Sequence, residues 1–362
     1  MKDIRKKIDD IDDAILDLLD KRADHVRRIG QIKIENSRGV YAPHREKEIV
    51  ERIKKSHAGD SKGFPLDAKL SIFREVIAAS RVLQKKLTIC YLGPDATFTH
   101  QAASSHFSSH CDYTPAQSIA QVFRAVEKGR ADFGVVPIEN STEGVVNHTL
   151  DMFFDSECKI WAELLMDVSH YLISAEKDIS SVKKIYSHPM AFPQCALWIE
   201  ENLPTAQLIE VSSTSKAAES AKNDKNAAAI ASYKAAEIYG LDIIAEKIED
   251  MKENITRFFI IGRDFPEPSE DSKTTIMFSI KDRVGVLHDM LEPFKKYSIN
   301  MTKIESRPSR TKVWQYVFFI DFAGHIAEDR VKHALEELDK DCVFLKVLGS
   351  YAAASNTIKI TS

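Results

Sequence analysis

Asn254-Ile255-Thr256-Arg257-Phe258-Phe259-Ile260-Ile261 is the stretch on which the reading of this 362-residue chain turns. A polar triplet, Asn-x-Thr-Arg, runs directly into four apolar residues with the pattern of a buried strand. One hydroxyl and one permanent cation therefore stand at the mouth of a sheet, where open α/β domains bind their ligands. Taken alone, the window reads as an ordinary strand with a polar start, so the surrounding segments decide.

Working outward, Leu87–Leu92, Asp132–Val136, His170–Ser174, Lys184–Tyr186, Leu208–Val211, Ala228–Ala231 and Arg257–Ile261 read as strands separated by helices. That alternation implies right-handed βαβ units and a mostly parallel sheet. Several strands end in hydroxyl-rich turns, Ser187-His188-Pro189, Ser212-Ser213-Thr214-Ser215 and Ala231-Ser232. Such turns suit helix capping or carboxylate binding at helix N-termini, and capping is the better reading for any single one. No Gly-x-Gly-x-x-Gly follows a strand, which disfavours a nicotinamide-dependent dehydrogenase, and no Gly-x-Ser-x-Gly elbow appears.

The length suits two or three domains. A net charge of −4 conceals an asymmetry, because residues 1–86 carry 21 Lys/Arg against 15 Asp/Glu. A basic first segment suggests an anionic partner, a small polyanion or nucleic acid. Cys90, Cys111, Cys158, Cys195 and Cys342 are scattered, which argues against a disulfide framework and structural zinc. The charged start, Met1-Lys2-Asp3-Ile4-Arg5, does not read as a signal peptide, and no apolar run approaches a membrane span. The expected compartment is the cytoplasm.

Residues 1–86 read as three helices. Ile4, Ile8, Ile11, Ile15, Leu18, Leu19, Val26 and Ile29 recur at helical spacing up to about Lys33. A helix this long exceeds what a small lone domain can cover, so a partner helix is expected. Pro43 and Pro65 suit the first turns of the second and third helices, with Gly59, Ser61 and Gly63 between them. Arg22, Val26, Ile29 and Lys33 share one face, so two cations ~16 Å apart lie on the apolar side. Buried cations need partners. A small dianion satisfies them as well as interhelical salt bridges do. Arg5, ~100° around the helix from Arg22, points at a different neighbour.

With Arg5 in Ile-Arg-Lys-Lys-Ile-Asp, Arg22, Lys33, the Arg45-Glu46 pair, Ser80 and Gln84, this segment resembles the all-helical chorismate mutase family over nearly all of residues 1–86. The resemblance implies a pericyclic rearrangement of chorismate to prephenate without cofactor. It assigns Arg22 and a partner chain's Arg5 to the carboxylates and turns Lys33 and Gln84 to the ether oxygen. Arg45 supports the clamp, Glu46 binds the ring hydroxyl, and Ser80 lines the site. Ala42 stands where relatives often carry an acidic residue, a departure that bears on hydroxyl binding and on mutase rate.

Gly93–Thr99, Pro137–Gly144, Ser187-His188-Pro189 with Gln194-Cys195, Ser213-Thr214 and Asn254–Phe258 together resemble prephenate dehydratase across residues 87–265. Ala96 replaces a usual glycine, a change confined to loop geometry. The family fold is a two-lobed α/β domain like a type II periplasmic binding protein, with one lobe expected at 87–166 plus 242–265. Thr256 matches the family's essential threonine. Asn140, Ser141, Thr142, Thr214 and Arg257 are candidate substrate contacts, although Arg257 alternatively pairs with Glu253 or Asp250.

A polar, proline-containing linker at 266–272 precedes strands and helices in βαββαβ order over 273–351, the ferredoxin-like arrangement. The tail after Tyr351 is polar and expected to fray. Gly285-Val286-Leu287 at a helix start and Glu305-Ser306-Arg307-Pro308 after a strand resemble the ACT domain of phenylalanine-regulated dehydratases. The resemblance implies L-phenylalanine bound between two such domains of a homodimer, its carboxylate at the helix start and its ammonium at Glu305. A structural dimerisation domain is the plainer alternative. For the whole chain, the different-class alternative is a ligand-responsive transcription regulator. The first helix is too long for a helix-turn-helix, however, and its cations lie on the apolar side. A dehydratase with an impaired mutase segment is the nearer variant.

Overall fold

The computed structural model describes residues 1–35, 43–57, 63–107, 111–142, 144–251, 253–269, 271–281, 283–308, 316–354 and 357–358. Ala42, Gly59, Ser61 and the Glu46 side chain, on which expectations above fall, lie outside the described residues. The chain divides into two compact units, residues 1–88 with 107–112, and residues 89–106 with 113–362.

The first unit contains the helices α1 (Lys2–Glu35), α2 (Pro43–His57) and α3 (Leu66–Gln84). At 34 residues, α1 is about 51 Å long. Its C-terminal third packs on α3, with Val26 and Gly30 buried. A Cβ on Gly30 would stand 3.0 Å from the Cα and Cβ of Gln84, so the missing side chain is what lets the helices close. Along the rest of α1, Ile4, Ile8, Ile11, Ile15 and Leu18 are each at least 50 % exposed. The apolar stripe has the expected spacing, and the described residues leave it uncovered.

In the second unit, one lobe is built from β1 (Thr88–Leu92), α4 (Phe98–His106), β2 (Asp112–Ala116), α5 (Ile119–Glu127), β3 (Phe133–Asn140), β4 (Gly144–Val145), α6 (Asn147–Asp155) and β5 (Lys159–Asp167). The chain crosses to a second lobe as β6 (Tyr171–Ser174), β7 (Lys184–Ser187), α7 (Ala191–Gln194), α8 (Ala196–Asn202), β8 (Gln207–Glu210), α9 (Thr214–Asn223), β9 (Ala227–Ala231), α10 (Tyr233–Tyr239) and β10 (Asp242–Ala245). It returns to the first as β11 (Ile255–Gly262). The C-terminal module is β12 (Ser272–Ile280), α11 (Val286–Lys296), β13 (Met301–Pro308), β14 (Tyr316–Ala323), α12 (Asp329–Asp339) and β15 (Cys342–Ala352), the βαββαβ order expected, followed by β16 (Thr357–Ile358).

Neither sheet of the lobes is mostly parallel as expected, since β6 is antiparallel to both β9 and β10. Further features also depart from expectation. β11 is antiparallel to both neighbours, β3 and β5, so its polar start lies beside the polar end of β3, with Thr256 opposite Asn140. β10 pairs with β6 and belongs to the second lobe, which moves the return crossing beyond residue 245. β5 has no counterpart among the expected strands, because Glu163 interrupts its apolar pattern. Finally, the described part of the tail is held in place: Ala354 N–H donates to Glu163 Oε1 at 3.0 Å, and β16 runs parallel to β5.

The first-lobe sheet continues into the module in the order β13-β14-β12-β15-β5-β11-β3-β1-β2. Met277, Val317, Phe319, Leu348 and Tyr351 of the module share one buried core with Phe123, Phe153 and Phe259 of the lobe. At the seam, Gly349 registers with Ile160, and a Cβ there would fall 2.5 Å from the Ile160 Cβ and carbonyl oxygen. Only glycine permits that approach. Gly349→Val is expected to destabilise the module against the lobe by about 2–3 kcal/mol, read by urea unfolding. A variant as stable as the parent would show that the seam has room.

Candidate active sites

In the helical unit, α1 presents Arg22 and Lys33 while α3 presents Ser80 and Gln84. The Arg22 guanidinium donates to the Ser80 hydroxyl and, at 3.5 Å, to the Val76 carbonyl, while Ser80 donates to the same carbonyl at 2.5 Å. Burial disfavours the Arg22 charge and lowers its pKa. Among the described residues its partners are a hydroxyl and a carbonyl, neither of which carries a countercharge. The Gln84 Oε1 is buried without a hydrogen-bond partner among the described residues. Gly30 opens the space against which Gln84 lies. Arg5 sits on the uncovered part of α1 and is exposed. Arg45 lies on α2, where its exposed side chain pairs with Glu48 at 2.5 Å.

Between the two α/β lobes lies a cavity of about 340 Å³. The first lobe contributes Thr97–Thr99, Asn140, Asn254, Thr256 and Phe258, and the second contributes His170, His188, Gln194 and Ser212–Thr214. Two helices begin at its wall. Thr97 Oγ1 accepts from His100 N–H at 3.3 Å at the start of α4, and Ser213 Oγ accepts from Lys216 N–H at 3.0 Å at the start of α9. Capping is therefore the role of Ser213, as expected, and Thr214 lines the cavity beside it. Helix starts favour carboxylates through their unpaired N–H groups and dipoles.

The polar side chains form one directed chain. Thr142 N–H donates to Asn140 Oδ1 at 2.9 Å, which fixes the amide orientation because a backbone N–H can only donate. Asn140 Nδ2 then donates to Asn254 Oδ1 at 2.7 Å and to Thr256 Oγ1 at 2.8 Å. Asn254 Nδ2 donates across the cleft to Gln194 Oε1 at 3.1 Å. That oxygen lies 2.8 Å from His170 Nε2, and since it only accepts, His170 carries its proton on Nε2. His170 and Gln194 were not among the expected site residues. They come from opposite ends of the second lobe's first third, and nothing in their sequence spacing pairs them.

Three expected contacts are corrected. Ser141 Oγ accepts from Ile255 N–H at 3.0 Å and donates to the Glu253 carbonyl at 3.1 Å, so it pins the approach to β11 and does not line the cavity. Thr142 is exposed and supports Asn140. Arg257 follows Thr256 on a strand, so it points to the opposite face. There it lies 2.6 Å from Glu163 and 2.7 Å from Asp321, and neither Glu253 nor Asp250 is its partner. Burial alone would raise the Glu163 pKa, but Arg257 and Lys273 outweigh it and hold the carboxyl below its ordinary range.

In the C-terminal module Gly285 adopts φ 82°, in the left-handed region, and caps α11, beside exposed Leu287 and half-buried Val286. Glu305 shares one face of β13 with Lys303 and Arg307, whereas Ser306 points to solvent on the other. Arg307 is already engaged, donating to the Asn147 carbonyl at 2.6 Å and pairing with Asp151. These contacts tether β13 to α6.

Comparison with known proteins follows the same divisions. Family models match in succession, chorismate mutase type II over residues 4–85, prephenate dehydratase over 89–266 and the ACT domain over 274–340. A bifunctional chorismate mutase/prephenate dehydratase of Aquifex aeolicus is 49 % identical over 355 residues, 98 % of each chain. The chain belongs to the bifunctional chorismate mutase/prephenate dehydratase family. Both activities of the family, an isomerase and a carbon–oxygen lyase, are those of this enzyme. Among solved structures, a prephenate dehydratase from Arthrobacter aurescens in complex with L-Phe is 33 % identical with a TM-score of 0.69, covering 76 % of this chain and 93 % of its own. GqqA, described as a novel type of quorum quenching acylase, is 28 % identical with the same TM-score of 0.69, covering 74 % and 98 %.

For this bifunctional family member, Asn140→Ala removes the donor that orients Thr256. Dehydratase kcat is expected to fall about 10²-fold with mutase activity unchanged, measured on the two substrates separately. An unimpaired dehydratase would remove Asn140 from the site.

Proposed function

We propose that Thr256 donates a hydrogen bond from its hydroxyl to the departing ring oxygen of prephenate in the cleft, and that Arg22, Lys33 and Gln84 bind chorismate in the helical unit. The observation that carries the first part is the polarity of the hydrogen-bond chain. Thr256 Oγ1 accepts from Asn140, so its own hydrogen is left to donate into the cavity. As the carboxylate leaves as CO2, its bonding electrons enter the ring and the ring carbon–oxygen bond breaks. The departing hydroxide keeps the hydrogen bond from Thr256 and takes its proton from solvent water, because a threonine hydroxyl is too weak an acid to give up its own. A fixed donor at that oxygen stabilises the charge that develops there. Prephenate's second carboxylate meets the α4 and α9 N-termini. Supporting the mutase reading are Arg22, whose partners among the described residues carry no countercharge, and the unpaired Gln84 oxygen, which suit a dicarboxylate and an ether oxygen.

The uncovered stripe of α1 supports a homodimer in which a second copy of α1 packs on Ile4, Ile8, Ile11 and Ile15 and brings its Arg5 to the neighbouring site. Inhibition by L-phenylalanine at Gly285–Leu287 and Glu305 is supported by the relative that binds this amino acid. Five free cysteines support a reducing compartment, the cytoplasm. Among the described residues no helix is long and apolar enough to cross a membrane. The partition into residues 1–86, 87–265 and 273–351 belongs to the same proposal.

Two variants separate the activities. Thr256→Val is expected to lower prephenate turnover about 10²- to 10³-fold and leave the mutase intact, and Arg22→Ala to do the reverse. Folded variants that each lose both activities would overturn the two-site assignment. Glu305→Ala is expected to raise the L-phenylalanine concentration for half-inhibition about tenfold or more; unchanged inhibition would move the effector elsewhere.

A further inference from the structure

Each polar residue that faces the cleft from β3 and β11 has a charged neighbour facing the other way. Asn140 and Thr256 are cross-strand partners, and so are Glu139 and Arg257 on the opposite face. There the latter two enter a mostly buried ion cluster. Arg257 lies 2.6 Å from Glu163 and 2.7 Å from Asp321, Lys273 lies 2.7 Å from Glu163, and Lys303 lies 2.6 Å from Glu139. Three cations balance three carboxylates, but neither side balances alone. Glu139, Glu163 and Arg257 of the lobe carry one net negative charge, and Lys273, Lys303 and Asp321 of the module carry one net positive charge.

We infer that Glu139 and Arg257 are positioning residues for the dehydratase reaction: through them the docking of the C-terminal module sets the Asn140–Thr256 hydrogen bond, and the effector acts by this route. The strand that carries Glu305 makes the link physical. On the same face of β13, Lys303 holds Glu139 and Arg307 holds Asp151, so the two ends of segment 139–151, which contains Asn140, are tied to one strand. A small displacement of β13 pulls on both ends together. From the other side, Asp321 on β14 and Tyr351 on β15 hold Arg257, one residue from Thr256. The register of β11 on β3 shifts between Arg257 and Phe258, so Ile138 of β3 is an extra residue beside the Glu139–Arg257 pair and the ladder is locally interrupted there. By contrast, the Gly349 seam is a backbone approach with no charged group of its own.

The inference rests on the roles proposed for Asn140, Thr256 and the effector segment. Its test uses full-length Asp321→Asn and, at the more exposed edge of the cluster, Lys303→Gln. Urea unfolding reports folding of the unit that carries both substitutions, and calorimetry reports L-phenylalanine binding. Without effector, dehydratase kcat is expected to fall about threefold to tenfold with KM nearly unchanged. L-Phenylalanine is expected to bind as before but inhibit about tenfold less, and Lys303→Arg to restore both properties. Folded variants with parental kcat and full inhibition would overturn the inference, and so would inhibition lost only together with binding. If the parent enzyme is not inhibited, the effector reading fails and the kcat change alone decides the positioning role. If Thr256→Val keeps prephenate turnover, the cleft reading itself fails.

Discussion

A buried guanidinium tolerates no gap in its counter-charges, and Arg257 draws them from segments far apart in the chain. Glu163 comes from the middle of β5, Asp321 from β14, and Tyr351 adds its hydroxyl from β15 at 3.2 Å. Loss of one partner from such a set leaves a stranded charge and costs about 3–5 kcal/mol. The first lobe and the C-terminal module are consequently not independent bodies joined by a linker. Their sheets run together, their cores merge, and their charges cancel only in combination.

The same strand serves two faces, and its alternation assigns the chemistry. Thr256, with a hydroxyl, faces the cleft; Arg257, with a permanent charge, faces away. This division suits a decarboxylating dehydration. A cation clamped on the carboxylate that must leave as CO2 would stabilise the starting state more than the transition state and slow the reaction. The cleft instead offers helix starts and a directed series of amide and hydroxyl groups, which can hold a substrate by hydrogen bonds without an ion pair to that carboxylate. The helical unit has the opposite need. A pericyclic rearrangement expels no carboxylate, so the Arg22 and Lys33 side chains can hold the dianion throughout.

Glycine marks two places where backbones must meet. Gly30 admits Gln84 against α1, and Gly349 admits Ile160 against β15. Ala96 shows the reverse case. It takes φ 66° and is fully buried, so the loop keeps a left-handed turn that glycine would adopt without strain. The Ala96 N–H donates to His100 Nδ1 at 3.1 Å, which ties that turn to the first turn of α4.

The resemblance to prephenate dehydratase singled out Asn140 and Thr214, while residue order alone was sufficient to mark the long amphipathic first helix, the βαββαβ module, and Thr256 at the polar start of an apolar run. These are local properties, in which hydrophobic period and turn chemistry act over a few residues. It did not mark β5, because a glutamate in mid-strand reads as a break until its buried cationic partners are known. Nor did it pair His170 with Gln194, orient β11 against β3, or turn Arg257 away from the cleft. Each of those depends on which distant segment lies alongside, a choice made by long-range packing and by the need to satisfy buried charge and hydrogen-bonding groups. Local pattern and resemblance thus named residues that could do chemistry, and tertiary structure alone decided which of them face the cleft.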